Sequence, residues 1–228
     1  MIKMTRRLRD RNQSKQLFAY LVLFWGIVGV GLQTLRSLLG ESPLEYTLIT
    51  HFYFTTQSNI SLVIVSLLYL FKKKKGNGFT SLSFFTLINI SVTGIVFHTL
   101  LTPFMSNVSF LNHVLHTINP ILYIIFYFMV IEELLPISKF WISLIYPLIY
   151  MALVYLMIEP IFGDLMEELM TTFESARYVY PFLDPNQYER GILGLILFNL
   201  GLLAPAMSLL AYVLNLLKSR FETRLRTT

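Results

Sequence analysis

Residues 46–75 read YTLITHFYFTTQSNISLVIVSLLYLFKKKK. From Tyr46 to Phe71 there is no Asp, Glu, Lys or Arg. About 20 apolar residues, rising 1.5 Å each, cross a hydrocarbon layer of roughly 30 Å, so the stretch is long enough to be a membrane helix. It stops on four consecutive lysines, Lys72 to Lys75, which suit a stop-transfer signal and lipid-headgroup anchor. Its first half carries His51, Thr55, Thr56, Gln57, Ser58 and Asn59. Polar side chains at that depth are costly unless something uses them.

The same pattern recurs along the chain. Apolar runs at about 17–39, 46–71, 79–102, 111–131, 138–158 and 190–217 predict six transmembrane helices. The chain is 55% hydrophobic and 14% charged, against about 25% charged in ordinary soluble domains, and its mean hydropathy is +0.62. Strands of a membrane barrel would be about ten residues long with strict alternation; these runs are longer and do not alternate. The expected fold is all-α, a single six-helix membrane domain over residues 1–228. Four short connections, at 40–45, 72–78, 103–110 and 132–138, imply antiparallel neighbours in one bundle. No repeat relates the two halves of the sequence.

Charge sets the orientation. Fifteen of the eighteen Lys and Arg residues fall on one side: Lys3, Arg6, Arg7, Arg9, Arg11 and Lys15 in the N-terminal tail, Lys72 to Lys75 in the second connection, Lys139 in the fourth, and Lys218, Arg220, Arg224 and Arg226 in the C-terminal tail. Arg36, Arg177 and Arg190 make up the rest. The positive-inside bias therefore predicts that both termini are cytoplasmic, which an even number of spans requires. The basic pI of about 9.4 reports topology. The lysine run is short and has no interleaved aromatics, so nucleic acid is not an expected partner. The first apolar run lacks a small-residue cleavage site and is expected to remain as a helix. With no cysteine there is no disulfide or thiolate chemistry, and four histidines alone call for neither a metal nor a cofactor.

The fifth connection, 159–189, begins EPIFGDLMEELMTTFE. Ile161, Phe162, Leu165, Met166, Leu169, Met170 and Phe173 fall at helical spacing, with Asp164, Glu167, Glu168 and Glu174 opposite. This predicts an amphipathic helix in the last extracellular connection, lying on the outer interface either as a cover for the bundle or as a lid. Trp141 and Tyr146 read as interface anchors.

Assigned depths bring the polar residues together. On a continuous second helix Thr55 lies on the order of 14 Å below the outer end, sharing a face with Ser58 and Asn59, with His51 one turn above. His98 comes about four residues before the outer end of helix 3, and LNHVLHTINP (111–120) brings Asn112, His113 and His116 into the same outer half. Asn199 in helix 6 reaches a similar depth, and nothing comparable stands in the inner halves of helices 3, 4 and 6. Pro120 cannot donate to the His116 carbonyl, so a kink beside that histidine is expected. A threonine hydroxyl paired with a histidine could attack an acyl carbon, with Gln57, Ser58, Asn112 or Asn199 as donors to the oxyanion. Interhelical hydrogen bonding or passage of a ligand or ion uses the same residue types.

FYFTTQSN (52–59), LNHVLHTINP (111–120) and YVYPFLD (178–184) occur together in the order and spacing of a known membrane family. On these motifs the chain resembles the androgen-induced-protein-like six-helix family, and especially its bacterial branch, labelled Pr-six-Pr. The likeness runs from helix 1 to helix 6. Animal members are threonine hydrolases that cleave fatty acid esters of hydroxy fatty acids within the bilayer. The resemblance implies Thr55 as nucleophile and His116 as base and then acid. The doubled threonine makes Thr56 a rival, about 100° around the helix, and the animal proteins have a more apolar run where this chain has TQSN. In YVYPFLD, Tyr178, Tyr180 and Phe182 suit an aromatic belt, while Asp184 could orient His113 or His116 as a third triad member.

The expectation is therefore a multi-pass protein of a bacterial plasma membrane, cleaving a fatty acyl ester taken from membrane lipid, with no cofactor. His98, Asn59 and the donors named above would support the site. A small-molecule or lipid transporter predicts polar groups along a path through both leaflets. A non-catalytic assembly protein predicts exposed small-residue stripes, for which GIVGVG (26–31) is the one weak match.

Overall fold

A computed structural model of the chain describes residues 2–71, 76–105, 107–170 and 175–227, with backbone alone for 2–11, 104 and 225–227. The lysine run Lys72–Lys75 and the pair Phe173 and Glu174 lie outside the described residues, as do the side chains of Lys3, Arg6, Arg7, Arg9, Arg11 and Arg226.

Among the described residues seven helical segments longer than a single turn succeed one another: α1 (Ile2–Leu38), α2 (Pro43–Phe52), α3 (Phe54–Phe71), α4 (Asn77–Leu101), α5 (Phe110–Val130), α6 (Ile137–Leu169) and α7 (Ile192–Arg224). Six of them are long and apolar enough to cross a membrane, all but the short α2. Among the described residues there is no strand. Six spans return both termini to one end, the termini end; the connection between α6 and α7 lies at the other, the distal end.

Burial sorts the spans. In their most apolar windows α4 is 56% and α5 50% buried, α1 and α6 22%, and α7 only 11%. α4 and α5 form the centre and α7 is the outermost span. Gly26 and Gly29 let α1 approach: a Cβ on Gly26 would stand 2.6 Å from Leu62 and one on Gly29 2.9 Å from Leu115. The small-residue stripe is thus used inside the bundle. At the termini end Lys218 donates to the carbonyls of Phe128 and Ile131, closing the carbonyl end of α5, and to Glu222. Lys15 pairs with Glu132.

Two expectations about the helices are corrected. The second span is broken. Tyr53 is extended (φ −64°, ψ 133°), so α2 ends at Phe52 and a new helix begins at Phe54. Nothing in HFYFTT breaks a helix by propensity; partners elsewhere hold the break open. The expected amphipathic helix is not a separate element. It is the last third of α6, Glu159–Leu169, running on from the fifth span. Its apolar side packs onto α2, with the Phe162 ring 5.0 Å from Phe52 and Met166 fully buried.

Proline explains a third feature. α4, α5, α6 and α7 each contain one wide turn in which the N–H bonds five residues back: Thr102 to Phe97, Asn119 to Val114, Glu159 to Val154 and Ala204 to Asn199. A proline comes directly after each of these donors, at 103, 120, 160 and 205. Proline lacks the N–H and its ring crowds the carbonyl four residues back; widening the turn relieves the crowding. In α5 the wide turn shifts the bonding register, and it is the Leu115 carbonyl that is capped from outside, by Asn59 Nδ2 at 3.3 Å. That differs from the free His116 carbonyl expected for a simple kink.

The wide turn of α5 sits against Gly94. A Cβ there would lie 3.1 Å from the His116 carbonyl oxygen and 3.2 Å from Pro120, whereas one on Gly31 meets nothing within 4 Å. Gly94→Val should lower the thermal midpoint in detergent by at least about 2 °C, since overpacking typically costs about 1–3 kcal/mol. Gly31→Val should leave it unchanged or raise it.

Candidate functional site

The break at Tyr53 organises the site. Ending α2 leaves the carbonyls of Thr50, His51 and Phe52 without their helical donors. Thr56 Oγ1 donates to the Thr50 carbonyl at 2.6 Å, Gln57 Nε2 to His51 at 2.9 Å, and Tyr150 Oη to Phe52 at 2.9 Å. The N-terminal N–H groups of α3 face the other way, and Thr55 N–H lies 3.4 Å from the Tyr180 hydroxyl. The polar residues of 51–60 therefore divide by task. Thr56 and Gln57 close the broken end of α2. Ser58 meets Thr93 Oγ1 at 2.8 Å, and Asn59 Oδ1 accepts from Asn119 at 2.7 Å. His51 bonds the Thr47 carbonyl at 2.7 Å on its own helix.

Thr55 remains, and it lines a cavity of about 220 Å³. The wall is apolar apart from Thr55, Thr93, His116, Tyr150, Tyr180 and Asn199. Ile95, Leu148 and Leu200 line it and are between 45% and 49% exposed, so it opens through the apolar flank of the bundle. On α7 its lining runs from Asn199 to Leu210, on the order of 16 Å at 1.5 Å per residue.

His116 sits in the wide turn of α5 and is 8% exposed. Its ring stacks on Phe97, with centroids 3.9 Å apart and planes at 11°, and the Thr93 carbonyl faces it. Nδ1 is buried and has no protein partner. An imidazole fixed by stacking, with one nitrogen unbonded, can hold a proton in transit.

The remaining candidates lie elsewhere or are already engaged. Asn199 Nδ2 lines the cavity and is bonded to the Phe182 and Leu195 carbonyls, both at 3.0 Å. His98 is exposed and bonds Thr117 Oγ1 at 2.9 Å. His113 is exposed, and Asn112 is half-buried with its backbone N–H on Ser109. None of these three lines the cavity. Asp184 is no triad partner: its carboxylate accepts from Ser175 Oγ and the Asn186 N–H, both at 2.8 Å, and holds the 175–187 connection together. Tyr146 is half-buried, its ring packing 5.5 Å from Phe54 and 5.4 Å from Phe85.

Tyr180 is a site residue that its sequence context hides. It is buried rather than part of an aromatic belt, and its ring meets Tyr53, Tyr150 and Phe182 at 5.7, 6.4 and 5.2 Å. Burial pushes its phenol above the ordinary range, so it stays protonated. The segment before it is anchored by Arg177, which ion-pairs with Glu159, Asp164 and Glu167 on α6 and lies over Gly163. Glu167 first, and then Asp164, raise the Arg177 pKa further. Buried polar groups also occur away from this cavity. Both amide atoms of Asn89, and Asn215 Oδ1, are buried without a protein partner, contrary to the expected one-sided distribution.

No family model, no curated protein and no solved structure matches this chain.

The two threonines separate cleanly. Thr56 is fully buried, accepts from Gln33 Nε2 at 2.8 Å, and does not line the cavity. Thr56→Val should lower stability by about 1–3 kcal/mol, because it leaves buried groups unpaired. Thr55→Val should cost little stability, since its hydroxyl has only the 3.4 Å contact to Tyr180. Thermal unfolding of the two variants in detergent checks this.

Proposed function

We propose that this protein is an intramembrane hydrolase of fatty acyl esters, of the androgen-induced-protein-like kind, with Thr55 as nucleophile and His116 as general base. One observation carries the reading. A threonine with an uncommitted hydroxyl and a histidine with an unpartnered nitrogen line the same buried cavity, whose remaining wall is almost wholly apolar. An apolar chamber with a few polar groups at one place suits a long hydrocarbon chain carrying one reactive function. The opening through the bundle flank would admit it from the surrounding lipid. The prevalence of Lys and Arg at the termini end supports cytoplasmic termini, and hence a site in the outer half of the membrane. The motifs FYFTTQSN, LNHVLHTINP and YVYPFLD contribute Thr55, His116 and Tyr180 to this one cavity, which supports the family reading.

In the reaction Thr55 Oγ attacks the acyl carbon as His116 takes its proton. The alcohol leaves with that proton, and water then releases the acid from Thr55. The dipole of α3, whose N-terminus lies at Thr55, favours negative charge developing there.

A fluorophosphonate probe applied to the purified protein in detergent tests this. Wild type and Thr56→Ala should be labelled; Thr55→Ala should not, and His116→Ala should react at least about 100-fold more slowly. Absence of labelling and of acyl ester hydrolysis in the wild type would refute the hydrolase reading. Loss of labelling in Thr56→Ala alone would move the nucleophile to that residue.

A further inference from the structure

The cavity needs a donor for the negative charge that appears on the substrate carbonyl oxygen. The donors expected from sequence are occupied. Gln57 bonds the His51 carbonyl, Ser58 the Thr55 carbonyl, and Asn199 the Phe182 and Leu195 carbonyls. The Tyr150 hydroxyl is held by the Phe52 carbonyl, and Thr93 Oγ1 by Ser58. Among the described residues lining the cavity, the Tyr180 and Thr55 hydroxyls make no hydrogen bond shorter than 3.4 Å, and these two lie 3.4 Å apart.

We propose that the Tyr180 hydroxyl is a catalytic donor, hydrogen-bonding the substrate carbonyl oxygen and stabilising the oxyanion formed when Thr55 attacks. This rests on the hydrolase reading and adds a residue to it. A phenol has one proton and two lone pairs. One lone pair of Tyr180 faces the Thr55 N–H at 3.4 Å, so the helix terminus orients the hydroxyl and leaves its proton for the cavity. The carbonyl oxygen of an acyl group bonded to Thr55 Oγ would lie within reach of that proton. As the Oγ–C bond forms, the threonine proton passes to His116 and the carbonyl π pair moves onto oxygen, where Tyr180 meets it. Collapse restores the carbonyl and expels the alcohol, which takes the proton from His116. Tyr180 keeps its own proton throughout.

The backbone supports the assignment independently. Val179 has φ +70° and ψ −44°, and the Tyr180 N–H bonds the Tyr178 carbonyl at 2.8 Å, a γ-turn of the rare positive-φ form. Val179 is fully buried and β-branched, a residue type that rarely adopts this conformation. Such strain persists only where the surroundings enforce it, and it concentrates at functional sites. Here it turns the chain so that Tyr180 enters the bundle and reaches the first residues of α3, while Arg177 holds the segment to α6.

The test uses the full chain in detergent with p-nitrophenyl dodecanoate as substrate. Tyr180→Phe keeps the ring contacts and removes the donor. It should lower kcat about 100-fold, the usual loss of one oxyanion donor, with KM within about twofold and the protein still folded, its thermal midpoint lowered only by loss of the 3.4 Å Thr55 N–H contact. Replacement of Tyr180 by 3-fluorotyrosine keeps the shape and makes the hydroxyl more acidic. The alkaline limb of the kcat profile should then move to lower pH, which a purely structural role would not produce. A Tyr180→Phe protein with kcat within threefold of wild type, a change in KM alone, or an unmoved alkaline limb would overturn the role of Tyr180 and leave the hydrolase standing. A wild type that neither hydrolyses the ester nor reacts with fluorophosphonate would overturn both.

Discussion

Every backbone polar group inside a bilayer must find a partner within the protein, and an unpaired one costs several kcal/mol. The interruption at Tyr53 is where this chain meets that constraint most severely. Three carbonyls at the end of α2 lose their helical donors, and three side chains replace them: Thr56 and Gln57 from the next turn and Tyr150 from α6. The same break creates a helix N-terminus within the bundle, where the Thr55 N–H turns to the Tyr180 hydroxyl. A continuous helix would have spent those groups on its own hydrogen bonds. Thr55 sits at that new terminus, the one threonine or serine hydroxyl of the stretch 51–60 left with only a loose contact.

The proline positions act by the same logic one layer out. Four helices widen by one residue immediately before a proline, and three of the wide turns carry His98, His116 and Asn199. A wide turn rotates the downstream residues and exposes acceptors that a regular helix would hide. In α5 it turns the His116 ring onto Phe97 and leaves the Leu115 carbonyl to Asn59. Asn59 in turn binds Asn119, so α3 and α5 are joined by side chains with no role in the cavity wall. Much of the conspicuous polarity of the second span is therefore structural. It holds two helices in an arrangement that lets two other residues, Thr55 and His116, face a common space.

Hydrocarbon depth and charge distribution made the six spans legible, because a 30 Å apolar layer imposes length and composition on any sequence that crosses it. Depth, which scales with residue count along a helix, placed Thr55, Asn199 and the four histidines at one level; the family resemblance, not the depth, singled out Thr55 and His116 among them. The supporting residues were harder to read. Gln57, Ser58, Asn59, Asn112, His113 and Asp184 have the chemistry of donors and orienters, and residue type alone does not say which carbonyl has already claimed them. Tyr180 was misread for the converse reason. It lies in a connection, beside other aromatics, and its course into the bundle depends on the turn at Val179 and on Arg177 meeting three carboxylates of α6.

An all-helical chain with six segments able to cross a membrane was written in the residue order alone, as was the set of residues standing at similar depth. Those properties depend on composition and on a constant rise per residue. Three features waited on the folded bundle: where the second span breaks, that the acidic helix continues α6, and which hydroxyls remain uncommitted. Each depends on a partner distant in the chain: Tyr150 for Phe52, Arg177 for Glu159, Tyr180 for Thr55. A local pattern cannot encode such a partner, and the cost of an unsatisfied polar group in an apolar interior makes the partner decisive.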